Sequence, residues 1–425
     1  MAATAATPTD LTQRARKLID EVHTFRAELD QYKASNSKSN DETCPLQPDL
    51  SYEIVDASKA LVHDLTELYY YWMDVASGYM ETQAFEVFMR LRLHEKLPDC
   101  GDISVQELST AVGVDVQRLG RILRLLVLRF CITQTRPGYF AHGAASRWLV
   151  RNGSVAAYVE TALDIFQKAA TSLADTILLD RPGEIGDGTS FTTRFGEDLY
   201  SYWKKHESKM QRFQMGMHDR RLVQEAVNSY PWDVLQGKVV DVGGGNGQIA
   251  VQIALLNPHL DFVVQDTFVN DDRVKLVNSL GLEGRVRFEV HDYYQPQSIT
   301  DASVFFIKHC LHNNDDQNCI RILKALVPAL ENSPTNPVLL VSEYVLPEEN
   351  DTTVSRELAR QLHNCDVAMM VLFNAMERTA SQYQALLTAA DPRLKILKVH
   401  HVGNDRLSTM EIRLDKSLPK NTVDG

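Results

Sequence analysis

Between Gly237 and Leu256 the chain reads GKVVDVGGGNGQIAVQIALL: a β-branched run that ends on an acid, a cluster of glycines, then an apolar stretch at helical spacing. Glycines there let the backbone turn sharply out of a strand and leave the main chain open to close approach. Short β-branched runs at 238–242, 261–265, 285–290, 303–308 and 337–344 alternate with helical stretches. Alternation of this kind predicts an α/β fold, with a largely parallel sheet covered by helices on both faces.

The glycine spacing narrows what lies against the loop. A dinucleotide fingerprint needs glycines at i, i+2 and i+5, and counted from Gly243 the last falls on Gln248. Nicotinamide and flavin nucleotides are therefore disfavoured, and no GxxxxGK[ST] occurs here to cradle a triphosphate. What remains is D-x-G-x-G-x-G, running from Asp241 through Gly243, Gly244 and Gly245 to Gly247. This loop is typical of enzymes that bind S-adenosylmethionine, where an amino-acid moiety and not a pyrophosphate lies against the glycines. The next strand, DFVVQD, ends in Asp266, and a carboxylate offers the two acceptors that a pair of ribose hydroxyls needs. The strand after it, RVRFEVHDYY, ends in Asp292 and Tyr293, suited to receive an adenine amino group and cover its ring. A single strand-end Asp is more often a turn or helix cap than a ligand. Three strand ends in the right order argue against coincidence.

The fourth strand runs into FFIKHCLHNNDDQNC, which places His309 and His312 three apart between two cysteines. A helix follows, with Ile320, Leu323, Val327 and Leu330 on its expected buried face. His312 therefore falls in the turn at the carboxyl edge of the sheet, where open parallel sheets bind ligands. His309, at the strand end, is expected to pack or cap. A zinc site from His309, Cys310, His312 and Cys319 lacks a second ligand pair at a familiar spacing, so no metal is assigned.

The remaining sequence bounds the setting. Lys and Arg total 44 against 56 Asp and Glu, a net charge of -12 that repels a polyanion. The stretch ISVQELSTAVGVDVQRLGRILRLLVLRFCITQTRPGYFAH reads as helix, turn, helix and short hairpin, a winged-helix pattern. Arg118, Arg121, Arg124 and Arg129 on its second helix raise a DNA-binding reading. The same helix carries Val116, Leu119, Ile122, Leu123, Leu125, Leu126, Val127 and Leu128, apolar over most of its circumference, which favours a scaffold or subunit contact. No nucleic acid partner is expected. An amino terminus without an apolar signal region, and no run near the roughly 20 residues that span a bilayer, predict a cytoplasmic chain with no membrane partner. Six scattered cysteines without a CxxC pair read as reduced thiols. Leu11, Leu18, Ile19, Val22, Phe25 and Leu29 form a helical stripe that calls for a partner surface, and the polar stretch after it reads as a linker.

With these residues in view, segment 238–415 resembles the catalytic domain of the plant-type small-molecule O-methyltransferases, the caffeic acid and flavonoid enzymes and their fungal secondary-metabolite relatives. In that family a strand-end Lys is followed, after three residues, by a His-Asp whose His is the base; Lys308 followed by HCLH gives that role to His312. LLVSEYVLP and FNAMERTASQY resemble the segments that put carboxylates beside the imidazole, which points to Glu343 and Glu377. By the same resemblance Asp241, Gly243, Gly244, Gly245, Asp266, Asp292, Tyr293 and Lys308 hold the cofactor. MQRFQMGM is similar to a substrate-wall stretch and contributes Phe213 and Met217, with Asn313, Met370 and Asn374 beside them. The family's His-Asp-Trp becomes His312-Asn313-Asn314 here, a departure that bears on substrate positioning.

The resemblance implies a class I methyltransferase Rossmann-like sheet behind a mostly helical amino-terminal dimerisation domain with a winged helix, and hence a homodimer. The corresponding division is a helix and linker over 1–49, a dimerisation domain over 50–153, a helical bridge to the substrate pocket over 154–229, a catalytic domain over 230–418 and a tail over 419–425. The implied reaction moves the methyl of S-adenosylmethionine to a hydroxyl of a small secondary metabolite, a phenol first, an enol or N-hydroxyl next. A phenol of pKa about 10 stays protonated at neutral pH, whereas an imidazole near 6.5 is available as its base. The alternative is a relative that keeps the cofactor and catalyses pericyclisation or dehydration. His312 with both glutamates favours methyl transfer, and Asn313 keeps the alternative open.

Overall fold

Side chains alternate between two faces along a strand, so a strand apolar at every position must be covered on both sides. The run at 238–242 approaches this at the centre of the molecule's main sheet: Val239, Val240 and Val242 are buried on both faces, with Asp241 buried between them. The structure is a computed structural model describing residues 8–35, 48–179, 188–217, 220–269, 271–401 and 406–418. Most of the expected linker, Cys44 and the tail 419–425 lie outside the described residues.

Strands β1 (Ile103–Ser104), β2 (Ile132–Arg136) and β3 (Tyr139–His142) form a small antiparallel sheet in the order β1-β3-β2. The main sheet holds β4 (Gly237–Val242), β5 (Leu260–Asp266), β6 (Val286–Val290), β7 (Val304–Lys308), β8 (Val338–Leu346), β10 (Leu394–His401) and β11 (Leu407–Leu414), in the order β10-β11-β8-β7-β4-β5-β6; the short β9 (Arg378–Thr379) pairs with β8. Strands β4 to β8 are parallel and coincide with the β-branched runs of the sequence. The chain winds outward from β4 to β6, then returns to the other side of β4 as β7. That reversal opens a crevice at the carboxyl ends of β4 and β7, the usual ligand position in such sheets.

Val240, Val242, Phe305, Ile307, Leu339 and Val341 face helices Asp316–Asn332 and Ala380–Ala390, while Val239, Phe262, Val264, Phe306 and Leu340 face helix Gln248–Leu256 and Trp232. On helix Asp316–Asn332 the buried stripe is Cys319, Ile322, Leu323, Ala325, Leu326, Ala329 and Leu330; Ile320 and Val327, expected inside, flank it half-buried. Strands β10 and β11, which append an antiparallel pair to β8, are not among the runs that the sequence pattern marks. Their pattern is hidden because β11 buries Ser408 and Thr409. Thr409 Oγ1 lies 2.7 Å from Ser229 Oγ and 2.5 Å from Ser342 Oγ, so the buried hydroxyls satisfy one another.

The winged helix forms as the sequence predicts. Ser104 and Glu107 make a reciprocal capping box on helix Val105–Val112, and Asp115 caps helix Val116–Leu128. The second helix is not apolar all round: it buries Leu119, Gly120, Leu123 and Leu126 and turns its arginines outward, with Leu128 exposed beyond them. Helices Pro48–Leu65 and Leu68–Arg90 precede it and expose Leu65, Leu68, Tyr70, Trp72 and Tyr79. On helix Pro8–Ser35, Leu11, Leu18, Ile19, Val22 and Phe25 are exposed as well. The five described cysteines are free thiols, and no described helix is long and apolar enough to cross a membrane. Residues Met1–Ser51 and Tyr52–Gly425 are the two compact units, and the second contains the segments divided at 153 and 229.

Helix Glu207–Met217 is fixed against helix Gly153–Thr161 by charge and by close backbone approach. Arg212 pairs with Glu160 at 2.6 Å and Asp164 at 2.8 Å, and Lys168 and Lys209 also meet Asp164. Burial works against the Asp164 carboxylate, but these three cations hold its pKa well below the usual range. Gly216 lies where a Cβ would stand 2.9 Å from the backbone and Cβ of Tyr158. A Gly216→Val protein is expected to lose about 1–3 kcal/mol of stability through overpacking, read as a lower midpoint in thermal unfolding; an unchanged midpoint would show that the two helices separate freely.

Candidate active site

Beyond Lys308 the chain leaves β7 through a turn at 309–314 before helix Asp316–Asn332 begins. His309 adopts a φ of 50°, a left-handed conformation uncommon outside glycine, and its N–H donates to Ser342 O at 3.1 Å. The neighbouring strand β8 supplies the clamp. Glu343 is fully buried, and its Oε1 accepts the N–H groups of Cys310 at 3.0 Å and Leu311 at 2.8 Å. Its Oε2 lies 4.0 Å from His312 Nδ1. Glu377 approaches from the start of β9, and its Oε1 is 2.8 Å from the same Nδ1. A carboxylate partner assigns the Nδ1 position a proton, leaving Nε2 as the basic nitrogen. The structure thus brings His312, Glu343 and Glu377 together from three separate stretches of sequence.

The electrostatics follow from burial between acids. Desolvation pulls His312 down, but the charges of Glu343 and then Glu377 outweigh it, and the net pKa is raised above 6.5. Glu343 is pushed up to about 6, chiefly by burial, although His312 and the Leu311 amide draw it down. His309 goes the other way: burial, then Lys308 and His312, keep it neutral. Its ring stacks on His312 at 4.9 Å with a 20° tilt, and Lys308 Nζ donates to its Nδ1 at 3.1 Å. His309 therefore packs, as the sequence suggests, and does so against His312.

Sequence reasoning missed Arg378. It is buried, and its guanidinium donates to Leu311 O at 3.1 Å, Asn314 O at 3.0 Å, Met376 O at 3.3 Å and Asp316 at 2.7 Å. One side chain thereby closes the histidine turn from below and anchors the residue next to Glu377. Only its place directly after a suspected functional glutamate, in an otherwise apolar and small-residue stretch, hinted at it.

On the other side of the crevice the glycines serve distinct purposes. Gly243 has φ 73°, and a Cβ there would stand 2.7 Å from Cys310 Sγ and 3.5 Å from the Tyr293 ring. At Gly244 a Cβ would overlap Asp241 Oδ2 at 2.4 Å. Gly245, at φ 56°, meets nothing within 4 Å, so its backbone is open to an incoming group. Asp266 takes the Gly245 N–H on Oδ2 at 2.9 Å, and on Oδ1 the Thr267 N–H at 2.8 Å and the Thr267 hydroxyl at 3.2 Å; Oδ2 keeps a lone pair for a hydroxyl, and a second would displace the Thr267 hydroxyl. Buried Asp241, raised to about 7 by burial with a smaller push from Asp266, sits opposite the lowering charge of Lys308. Asp292 is exposed and closes a local turn by accepting the Tyr294 N–H at 2.9 Å. An open glycine backbone, a carboxylate beside it and a tyrosine ring over it fit a nucleoside carrying an amino-acid tail.

The wall residues are more dispersed. Phe213 stacks on Trp203 at 5.4 Å and packs with Val371 and Leu372, which places it next to the helix that carries Met370. Asn374 ends that helix at φ 54°. Met217 and Met370 are partly exposed, and Asn313 is half-buried with its Oδ1 accepting from Asn314 at 3.0 Å.

A sequence model of the O-methyltransferase domain matches residues 171–391, and one of the O-methyltransferase dimerisation domain matches 73–152. The O-methyltransferase sol2 of Alternaria solani is 34% identical over 338 residues, covering 78% of this chain and 77% of its own. Among solved structures, the mitomycin 7-O-methyltransferase MmcR aligns with a TM-score of 0.69 at 23% identity, over 84% of this chain and 99% of that one. A pericyclic reaction enzyme aligns with a TM-score of 0.73 at 18% identity, over 93% of this chain and 100% of that one.

The His312 environment sets a sign that NMR can check. Because the imidazolium is favoured in the folded state, His312 stabilises the fold below its unfolded pKa, and this contribution fades as pH rises through the folded value. Glu377→Gln keeps an acceptor for Nδ1 and removes one charge, so the His312 titration midpoint is expected to fall; an unmoved midpoint would disconnect the pair. Arg378→Met leaves carbonyls of the turn unpaired, each worth about 1–3 kcal/mol when buried, and is expected to lower the unfolding midpoint markedly.

Proposed function

This chain belongs to the O-methyltransferase family, and from that membership we propose that its acceptor is a phenolic hydroxyl of a small secondary metabolite, deprotonated by His312. It is an S-adenosylmethionine-dependent O-methyltransferase. The cofactor supplies an electrophilic methyl on a positively charged sulfur. Under this reading Asp266 receives the ribose hydroxyls, Asp292 and Tyr293 meet the adenine, and Asp241, Gly243, Gly244, Gly245 and Lys308 border the amino-acid end. The observation that carries the base assignment is the His312 Nδ1 to Glu377 Oε1 distance of 2.8 Å, beside a second buried acid.

That pairing does two things. It fixes the ring so that Nε2 is the nitrogen offered to a hydroxyl, and it stabilises the imidazolium once the proton arrives. Glu343 adds charge and, through its two amide bonds, holds the turn at its height above the sheet. Phe213, Met217, Met370 and Asn374 are assigned to the acceptor's walls, with Asn313 beside the base. The helical segment 154–229 is read as the bridge that brings Phe213 to the catalytic domain 230–418. The chain is placed in the cytoplasm.

The likeness to a pericyclic reaction enzyme is one of fold. A supported imidazole base favours methyl transfer, and release of label from methyl-labelled cofactor onto a phenol distinguishes the two. A His312→Ala protein is expected to keep its cofactor affinity and lose about 100-fold to 10,000-fold in turnover; parental turnover would remove the base assignment. Asp266→Ala is expected to weaken cofactor binding sharply in calorimetry, and unchanged affinity would remove the ribose assignment.

We further propose that a homodimer, formed through the region matching the dimerisation domain, covers the exposed apolar side chains of the amino-terminal helices. Replacing Tyr79 and Leu128, both exposed within that region, together by Asp should shift the protein to monomer in analytical ultracentrifugation; a retained dimer would place the interface elsewhere.

A further inference from the structure

Glu343 Oε2 and Glu377 Oε2 are two of ten buried side-chain nitrogen and oxygen atoms without a hydrogen-bond partner among the described residues, and they belong to the pair of acids that flank His312. The two side chains are 0% and 1% exposed, and each orphaned oxygen belongs to a carboxylate already committed through its other oxygen. One donor atom from each of His312, Glu343 and Glu377 falls within 4.8 Å of the others. From this geometry we infer that the base constellation is also a binding site for one zinc-class divalent cation, which displaces the His312 Nδ1 proton and so competes with the resting state of the base.

Three physical arguments converge on it. The first is distance. Zinc bonds to nitrogen and carboxylate oxygen run about 2.0–2.2 Å, so tetrahedral ligands lie roughly 3.4 Å apart. The Nδ1 to Glu377 distance of 2.8 Å and the Nδ1 to Glu343 distance of 4.0 Å bracket that spacing. For these two pairs shifts of roughly 0.6 Å, outward for one carboxylate and inward for the other, reach that spacing, and the two carboxylates, within 4.8 Å of each other, close on the ion.

The second is charge. Within the triad, two buried carboxylates around one imidazolium leave a net negative charge, whereas two carboxylates, a neutral imidazole and a dication sum to zero; Lys308 also acts on His312 and Glu343, but it is shared with the buried Asp241. Displacing the Nδ1 proton is the ordinary cost of imidazole ligation, and the affinity should therefore rise with pH. The third is selectivity. A nitrogen with two carboxylates suits zinc or cobalt, while magnesium prefers an octahedral shell of oxygens and water. Three protein ligands leave a coordination position open for water.

The binding site does not depend on methyl transfer being the reaction, so its test is made without cofactor or acceptor. Cobalt(II) titrated into the full-length protein should give the intense visible bands of a four- or five-coordinate ion at one equivalent, and zinc should displace it. Calorimetry with zinc in two buffers of different ionisation enthalpy should reveal proton release. His312→Ala, Glu343→Gln and Glu377→Gln should each weaken the binding at least about 10-fold. Glutamine keeps an acceptor oxygen for the Cys310 and Leu311 amides or for His312, so these two variants preserve the turn and separate lost ligation from lost folding. Weak octahedral cobalt spectra in the parent, or zinc affinity unchanged in all three variants, would overturn the inference. Turnover of His312→Ala reports separately on the base assignment, so either proposal can fail alone.

Discussion

A fully buried carboxylate holds this site together. Glu343 stands on β8, next to β7 in the sheet, and spends one oxygen on two consecutive amides of the turn that leaves β7. Backbone amides at the end of a strand must find acceptors, and a turn lifting away from the sheet has lost its neighbours for them. Glu343 supplies that acceptor from the side, so the path of residues 309–314 is set by a charged group and not by the sheet ladder. Its other oxygen faces the imidazole that the turn carries. Structure and electrostatics are thereby coupled: the residue that positions His312 is also the first-ranked opposing charge that raises its pKa against burial.

The sheet topology makes such a clamp useful. Reversal of the winding direction between β4 and β7 places the glycine loop and the histidine turn side by side, and the approach is close enough that Cys310 Sγ occupies the space a Gly243 side chain would need. Gly243 is thus required twice, by its left-handed φ and by its neighbour. Gly245 is required by neither packing nor crowding and owes its place to φ and to open backbone. The loop therefore has a packed side that seals against the base and an open side beside Asp266. Methyl transfer needs that separation, because the cofactor must be bound without blocking the path from the acceptor oxygen.

Most of this was legible where chemistry and local pattern coincide. The β-branched runs marked β4 to β8, the glycine spacing disfavoured dinucleotides, and the place of His312 in the turn at the sheet's carboxyl edge followed from the strand before it, its role coming from resemblance. Glu343 and Glu377 came from resemblance, since a buried acid in an apolar strand has no local signature of its function. Arg378 was invisible because its four partners are spread from Leu311 to Met376 and become neighbours only in the folded chain. β10 and β11 were hidden by polar residues that bury themselves in pairs. The winged helix was read correctly as a motif, but the apolar count on its second helix overstated its burial, because Leu128 faces outward next to the exposed Phe130.

The departure at Asn313-Asn314 can be understood in the same terms. Asn314 is buried, donates to Cys310 O at 2.7 Å and to Tyr293 Oη at 3.5 Å, and accepts the Tyr294 hydroxyl at 2.6 Å. At the place where the resembled His-Asp-Trp pattern has its aromatic, this chain has an amide that ties the histidine turn to Tyr294 and to Tyr293, whose ring lies beside Gly243. Apolar packing is non-directional, whereas these hydrogen bonds fix orientation as well as distance. Loss of the acid at 313 removes one negative charge from beside the base, leaving Glu343 and Glu377 as the carboxylates that determine its basicity. The pair Asn313-Asn314 therefore makes a polar tie between the histidine turn and Tyr293, while His312 keeps both Glu343 and Glu377 beside it.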